Sequence, residues 1–295
     1  MSGEGRQWQG TTDGASWMHR ALIVLMGFTP LRVIYFFMYF AIPVYMVANR
    51  KGYLSIYHYF RRRLGYGPLR SFFHVVANHA AFGKVVVDRF GAYAGKKFSI
   101  EVPDMELYSS LSSRPEGMMQ VSSHIGNDEM AGYFLKASKR IYALAFGGEV
   151  STVTENRVKM LSGNDITLVP IADDMSHLVV LNNALASGEI VNIHGDRVFG
   201  SSKAFRCRVM GAPANLPAGP FMLAAMREVP ALSVFVMRSG YKKYKALLFR
   251  LDEGLEGLER NEKAERMARA YAASIDSVLA LYPDQWFNFY EYWDE

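Results

Sequence analysis

The chain has 295 residues, half of them hydrophobic and 14% aromatic, enough for one large α/β domain or two small ones with a sizeable core. A single cysteine, Cys207, excludes an intrachain disulfide and a cysteine-built metal cluster, and the seven histidines show no metal-ligand spacing such as His-Glu-x-x-His. The net charge of +5 is unevenly spread: residues 50–97 carry ten Lys or Arg against one acid, Asp88, whereas residues 98–295 carry 20 basic and 25 acidic residues. A basic block on a mildly acidic remainder points to an anionic partner, whether lipid headgroups, an acidic carrier protein or nucleic acid.

Residues 1–20 are polar and Gly-rich. Residues 21–48 are mostly apolar, and Val33 to Ala48 is an uncharged run of 16 residues bounded by Arg32 and Arg50. A spanning helix needs about 20 residues. Pro30 and Pro43 are expected to interrupt the run. Tyr35, Phe36, Phe37, Tyr39, Phe40 and Tyr45 crowd it, and aromatics with basic flanks suit a bilayer interface. The segment reads as a membrane anchor, either one tilted span or an in-plane helical hairpin, with a buried core helix as the alternative. Residues 53–92 read as two basic amphipathic helices split at Gly65-Tyr66-Gly67-Pro68. Their charges alternate with Phe, Tyr and Val instead of forming a clean basic face, so no nucleic-acid partner is expected.

From there strands and helices alternate. Strands are predicted at Phe98–Val102, Gly117–Gln120, Ile141–Phe146, Ile166–Ile171 and Glu189–His194. Helices are predicted at 131–139, with Asn127 and Asp128 as N-cap residues, at 150–161, and at 176–186 before Gly188. Arg206–Met210 reads as a strand, Pro217-Ala218-Gly219 as a helix start, Val229 as the opening of another strand and Tyr244–Leu251 as a sheet-edge strand. Residues 261–281 form a long amphipathic helix. This rhythm implies an α/β fold, a mainly parallel sheet flanked by helices, with an N-terminal membrane-associated helical segment. The natural division is residues 1–97, hydrophobic and basic, and residues 98–295, the α/β domain.

In such sheets sites gather beyond the carboxyl ends of strands. His124, in Ser122-Ser123-His124-Ile125-Gly126-Asn127-Asp128-Glu129, lies at the end of one strand, with Glu129 in the first turn of the next helix. On a continuous helix the two would point about 140° apart, at about 100° per residue. A bend at Gly126-Asn127 lets them meet, and a carboxylate on the imidazole makes it a competent general base. A satisfied loop histidine beside a capping acid is the plainer reading. His194-Gly195-Asp196-Arg197-Val198-Phe199-Gly200 occupies the equivalent place after a later strand, either as a ligand-facing turn or as a structural Asp–Arg pair. No Gly-x-Ser-x-Gly elbow accompanies it, which argues against an esterase.

The spacing His124-x-x-x-x-Glu129 resembles the His-x4-Asp/Glu signature of the lysophospholipid and lipid A acyltransferase superfamily, in particular its bacterial late lipid A acyltransferases. Trp8-Gln9-Gly10-Thr11-Thr12-Asp13-Gly14, the Asp196 turn, Pro217-Ala218-Gly219 and the closing Pro283-Asp284-Gln285-Trp286 are similar to segments of that branch in the same order. The acidic tail after Trp286 and the Gly147-Gly148-Glu149 stretch depart from its usual basic residues. The resemblance implies a glycerolipid acyltransferase-like fold. It also implies transfer of a fatty acyl chain from a thioester, acyl carrier protein or acyl-CoA, to a hydroxyl or amine of a membrane lipid, with a lipid A-type acceptor as one candidate. His124 would be the base and Glu129 its orienting partner. Asp196 and Arg197 would shape the acceptor or oxyanion side, with Ser123 and Asn127 as possible oxyanion donors. No cofactor and no metal are required, and the expected location is the cytoplasmic face of a bacterial inner membrane. A membrane-peripheral lipid-binding or adaptor protein with a vestigial site is the alternative.

Overall fold

A computed structural model describes residues 16–145, 165–172, 174–198 and 203–293. The expected helix at 150–161, the Trp8–Gly14 segment, the Gly147-Gly148-Glu149 stretch and the Phe199-Gly200 end of the second turn lie outside the described residues.

Four helices precede the sheet: α1 (Ser16–Phe28), α2 (Leu31–Ala48), α3 (Arg50–His58), continued by a π-helical turn over Tyr59–Arg63, and α4 (Pro68–Tyr93). Pro30 separates α1 from α2, as proline at a helix start does. Pro43 does not break the run. It lies inside α2, where the carbonyl it deprives of a donor belongs to the half-exposed Tyr39. α2 turns Leu31, Tyr35 and Ile42 inward against α4, and leaves Phe36, Phe37 and Phe40 outward.

The sheet strands are β1 (Ser99–Glu101), β2 (Met118–Ser122), β3 (Ile141–Ala145), β4 (Ile166–Pro170), β5 (Ile190–His194), β8 (Ala231–Gly240) and β9 (Lys243–Arg250), ordered β1-β9-β8-β2-β5-β3-β4. All neighbours run parallel except the β8–β9 hairpin. The strand expected at the edge, β9, is therefore internal. β1 takes the edge in parallel register, from Ser99 opposite Lys243 to Glu101 opposite Lys245, and three residues leave little unpaired backbone exposed. A separate antiparallel hairpin, β6 (Ala204–Val209) with β7 (Ala212–Pro217), uses a segment in which only the first strand was legible.

The connecting helices are α5 (Met105–Ser112), α6 (Glu129–Phe134), α7 (Ser176–Ala186), α8 (Gly219–Arg227) and α9 (Arg260–Leu281). Side chains of β8 alternate between two apolar clusters: Phe235 and Met237 join Phe221, Tyr271 and Trp286, while Leu232, Val234 and Val236 join Tyr108, Met130 and Tyr244. Ile56, Tyr59, Phe60 and Val75 belong to the first cluster, so the N-terminal helices share the core of the sheet.

One buried polar network crosses that junction. Asp88 on α4, fully buried, accepts from Arg238 Nε at 3.0 Å, from Tyr244 Oη at 2.5 Å and from Tyr35 Oη on α2. Tyr244 Oη in turn accepts from Asn127 Nδ2 at 3.2 Å, in the loop after β2.

Candidate active site

β2 and β5 are parallel neighbours, and their register sets Ser122 opposite His194. Two residues further along each chain stand His124 and Asp196. They meet because of that register: His124 Nδ1 lies 2.9 Å from Asp196 Oδ1, and the His124 backbone N–H donates to Asp196 Oδ2 at 2.9 Å. The second bond fixes the carboxylate against the loop, and the first makes the ring an Nδ1–H donor whose basic nitrogen is Nε2. Asp196 is 1% exposed and the His124 side chain 28%, so the carboxylate is sealed behind a partly exposed ring.

The loop is held from below. Gly126, at φ +74°, donates to Gln285 O at 2.8 Å, Asn127 N–H donates to Val236 O at 2.7 Å, and Phe287 N–H donates to His124 O at 3.3 Å. The closing segment 283–287 thus packs under the site, with Trp286 buried in the core. Gly195 brings the second turn close to Val121 and Tyr271: a Cβ there would lie 2.4 Å from Val121 Cγ1.

Glu129 has other partners. Its carboxylate takes Arg89 Nε at 3.0 Å, Tyr93 Oη at 2.6 Å and Tyr133 Oη, which ties the first turn of α6 to α4. The carboxylate on His124 Nδ1 is thus Asp196, where the spacing predicts Glu129. Arg197 donates from Nη2 to Phe287 O at 2.9 Å and lies over the Tyr290 ring. Ser123 is buried and its Oγ accepts from Ile125 N–H, and Asn127 is buried with its amide on Tyr244. Neither is exposed beside the His124 ring as an oxyanion donor would be. Among the described residues no group of three His, Cys, Asp or Glu side chains is placed to hold a metal ion.

Two site residues escaped the sequence reading in their actual roles. Asp128 heads α6 but makes no side-chain cap bond; its Oδ2 lies 2.8 Å from His194 Nε2. The His194 ring lies 4.6 Å from that of His124, centroid to centroid, tilted by 32°. Two imidazole–carboxylate pairs are therefore stacked at the ends of adjacent strands. Their charges diverge. Burial, then the Arg197 charge, with His194 adding, push His124 down to about 4 against the pull of Asp196. Burial alone would also lower His194, but the hydrogen bond and charge of Asp128 outweigh it and raise the ring above the ordinary histidine value. Burial opposes the charge on both carboxylates, yet both lie below the usual carboxylate range: the Asp128 bond to His194 prevails at one, the charge of His124 and its bond at the other. The cluster sets a ring that resists protonation beside one that favours it.

Residues 95–295 match the family described as bacterial lipid A biosynthesis acyltransferase. The chain belongs to that family. No curated protein matches the chain closely enough to be named as a relative. Family membership points to an acyltransferase acting on lipids, and the His124–Asp196 pair lies at the carboxyl ends of β2 and β5.

Proposed function

We propose that this lipid A-type acyltransferase moves a fatty acyl chain from an acyl thioester, acyl carrier protein in preference to acyl-CoA, to a hydroxyl or amine of a membrane lipid. It would work at the cytoplasmic face of a bacterial inner membrane. The observation that carries the reading is the 2.9 Å contact of His124 Nδ1 with buried Asp196, in a chain of this family. The acceptor oxygen or nitrogen attacks the thioester carbonyl while His124 Nε2 takes its proton. Collapse of the tetrahedral adduct breaks the C–S bond, and the proton passes to the departing thiolate. No enzyme-bound acyl group is needed, in keeping with the missing serine elbow. Asp196 holds the tautomer and stabilises the imidazolium, and Arg197 adds positive charge beside the developing oxyanion. Glu129, through Arg89, Tyr93 and Tyr133, fixes the start of α6. The donor preference follows the nine surplus positive charges of residues 50–97, which suit an acidic carrier.

The test is acyl transfer by purified full-length protein, with acyl carrier protein and CoA thioesters as donors and lipid A precursors as acceptors. His124→Ala is expected to lose on the order of 10²–10⁴-fold in kcat/KM. Asp196→Asn should lose a similar factor through the wrong tautomer, and the double variant little more. Glu129→Gln should lose less and show a lower Tm, as expected of an anchor of α6. A folded His124→Ala protein with undiminished transfer ends this reading. Absence of transfer to any lipid by the wild type would favour a lipid-binding adaptor instead.

A further inference from the structure

His194 has no part in the mechanism above, yet it is built into the same site. We propose that His194 and Asp128 form a second imidazole–carboxylate pair whose positive ring, stacked against His124, fits that ring to act as the neutral proton acceptor. The inference rests on the acyl-transfer reading for its consequence but not for its geometry.

Three observations carry it. The rings are 4.6 Å apart and each side chain is 28% exposed, so both are open to solvent at one spot. The hydrogen bonds are made at different ring atoms: Asp196 takes Nδ1 of His124, and Asp128 takes Nε2 of His194. Each carboxylate thus holds a hydrogen bond to a different ring, while its charge is felt by both. Third, Asp128 stands at the head of α6, where an aspartate ordinarily bonds the first free backbone N–H groups. It makes no such bond and reaches for His194 instead. A local preference given up for a neighbouring imidazole is a mark of a working residue.

The groups facing the two rings fix the sign. Asp196 and Arg197 come from the turn after β5, Asp128 and Glu129 from the start of α6, Arg89 from α4, and the Tyr271 hydroxyl from α9, where it donates to Ser122 O. Around His124 two anions, Asp196 in direct contact and Asp128 further off, work against two cations, Arg197 and the His194 ring. Arg197 is permanently charged, so His194 is the element that substitution can switch. With its positive ring present, adding a proton to His124 is disfavoured by a like charge. With it absent, Asp128 keeps its negative charge and the balance at His124 turns toward protonation.

The experiment follows the imidazole resonances of full-length protein, with histidine labelled at Cε1, through a pH titration by NMR. It uses the wild type, His194→Gln, His194→Lys and Asp128→Asn. In the wild type His124 should titrate below the ordinary histidine midpoint and His194 above it. His194→Gln should raise the His124 midpoint by about one pH unit or more. His194→Lys, which restores a cation opposite Asp128, should return it toward the wild-type value, and Asp128→Asn should lower the midpoint of His194. The acidic limb of the kcat/KM profile should move with the His124 midpoint, to higher pH in His194→Gln. An unmoved His124 midpoint in a folded His194→Gln protein overturns the proposal and leaves the second pair as packing; should that variant not fold, an unmoved His194 midpoint in Asp128→Asn does the same. The shift expected in the titration, with no acyl transfer at any pH by the wild type, would leave the coupling standing and remove only the acyl-transfer reading.

Discussion

Gly126 is required for two separate reasons. Its φ of +74° strains any side chain, and a Cβ would lie 2.2 Å from Val236 O, a backbone atom that cannot swing away. The residue makes the bend that separates His124 from α6 and holds both against β8. Gly126→Ala is therefore expected to cost about 1–3 kcal/mol from the backbone conformation, read by urea unfolding, with a larger loss in kcat than in KM because His124 is displaced from Asp196. An alanine variant equal to wild type in both would show that the loop is not held as described. The bend itself was legible, since a glycine between a strand-end histidine and a capping pair says where the chain turns. The partner across it was not. Helix angles and residue spacing relate neighbours along the chain, so they nominated Glu129. The carboxylate that meets His124 is 72 residues away, and it arrives through the parallel register of Ser122 with His194. The same blindness hid Asp128, whose position at a helix start made capping its obvious use.

Elements were read well where one physical signal dominates and poorly where pairing decides. The alternation of short apolar strands with periodic helices gave the parallel sheet. The demotion of β9 to an edge strand failed because its pairing with β1, a strand expected at Phe98–Val102, joins segments over 140 residues apart that nothing local along the chain connects. The hairpin strand β7 was hidden by Pro213 and Pro217, residues that sheets accept only where a ladder bond is not needed. The Asp88 network was likewise invisible, since the lone acid in a basic block reads as an exposed charge. Its burial makes a sharp forecast. Asp88→Ala leaves Arg238 largely buried without its carboxylate and removes the acceptor shared by Tyr35 and Tyr244. Breaking such a pair costs about 3–5 kcal/mol, whereas Asp88→Leu with Arg238→Met should recover much of it. Urea unfolding of the three proteins, wild type included, decides the matter, and a cost under about 1 kcal/mol for Asp88→Ala would mean that the network holds nothing together.

At the scale of the whole molecule, α2 carries two loads that the sequence reading treated as one. Its inner face, Leu31, Tyr35 and Ile42, is packed on the protein, and Tyr35 is bonded to Asp88. Its outer face leaves Phe36, Phe37 and Phe40 60–65% exposed, next to α1 with Phe28 88% exposed. By length and composition α2, with 18 residues and a mean hydropathy of 1.7, is apolar enough to cross a membrane. On the membrane-associated reading the outward aromatic side chains would meet lipid, while Leu31 and Tyr35 pack inward. Deleting residues 1–48 would strip both faces at once, so loss of membrane binding in that variant would be confounded by damage to the core. Replacing Phe36, Phe37 and Phe40 with serine separates them. Surface changes of this kind ordinarily alter stability by less than about 0.5 kcal/mol each, while each phenyl ring withdrawn from lipid forfeits about 1.5–3 kcal/mol of transfer energy. The triple variant should therefore unfold at nearly the wild-type urea midpoint and yet sediment with anionic vesicles at least tenfold more weakly. Salt should affect the residual binding more than it affects the wild type, because what remains is the attraction of the basic block, whose range shrinks to about 10 Å at 0.1 M ionic strength. If the triple variant binds vesicles as tightly as the parent, or if the parent stays in solution without detergent or lipid, the outer face of α2 is not a membrane surface.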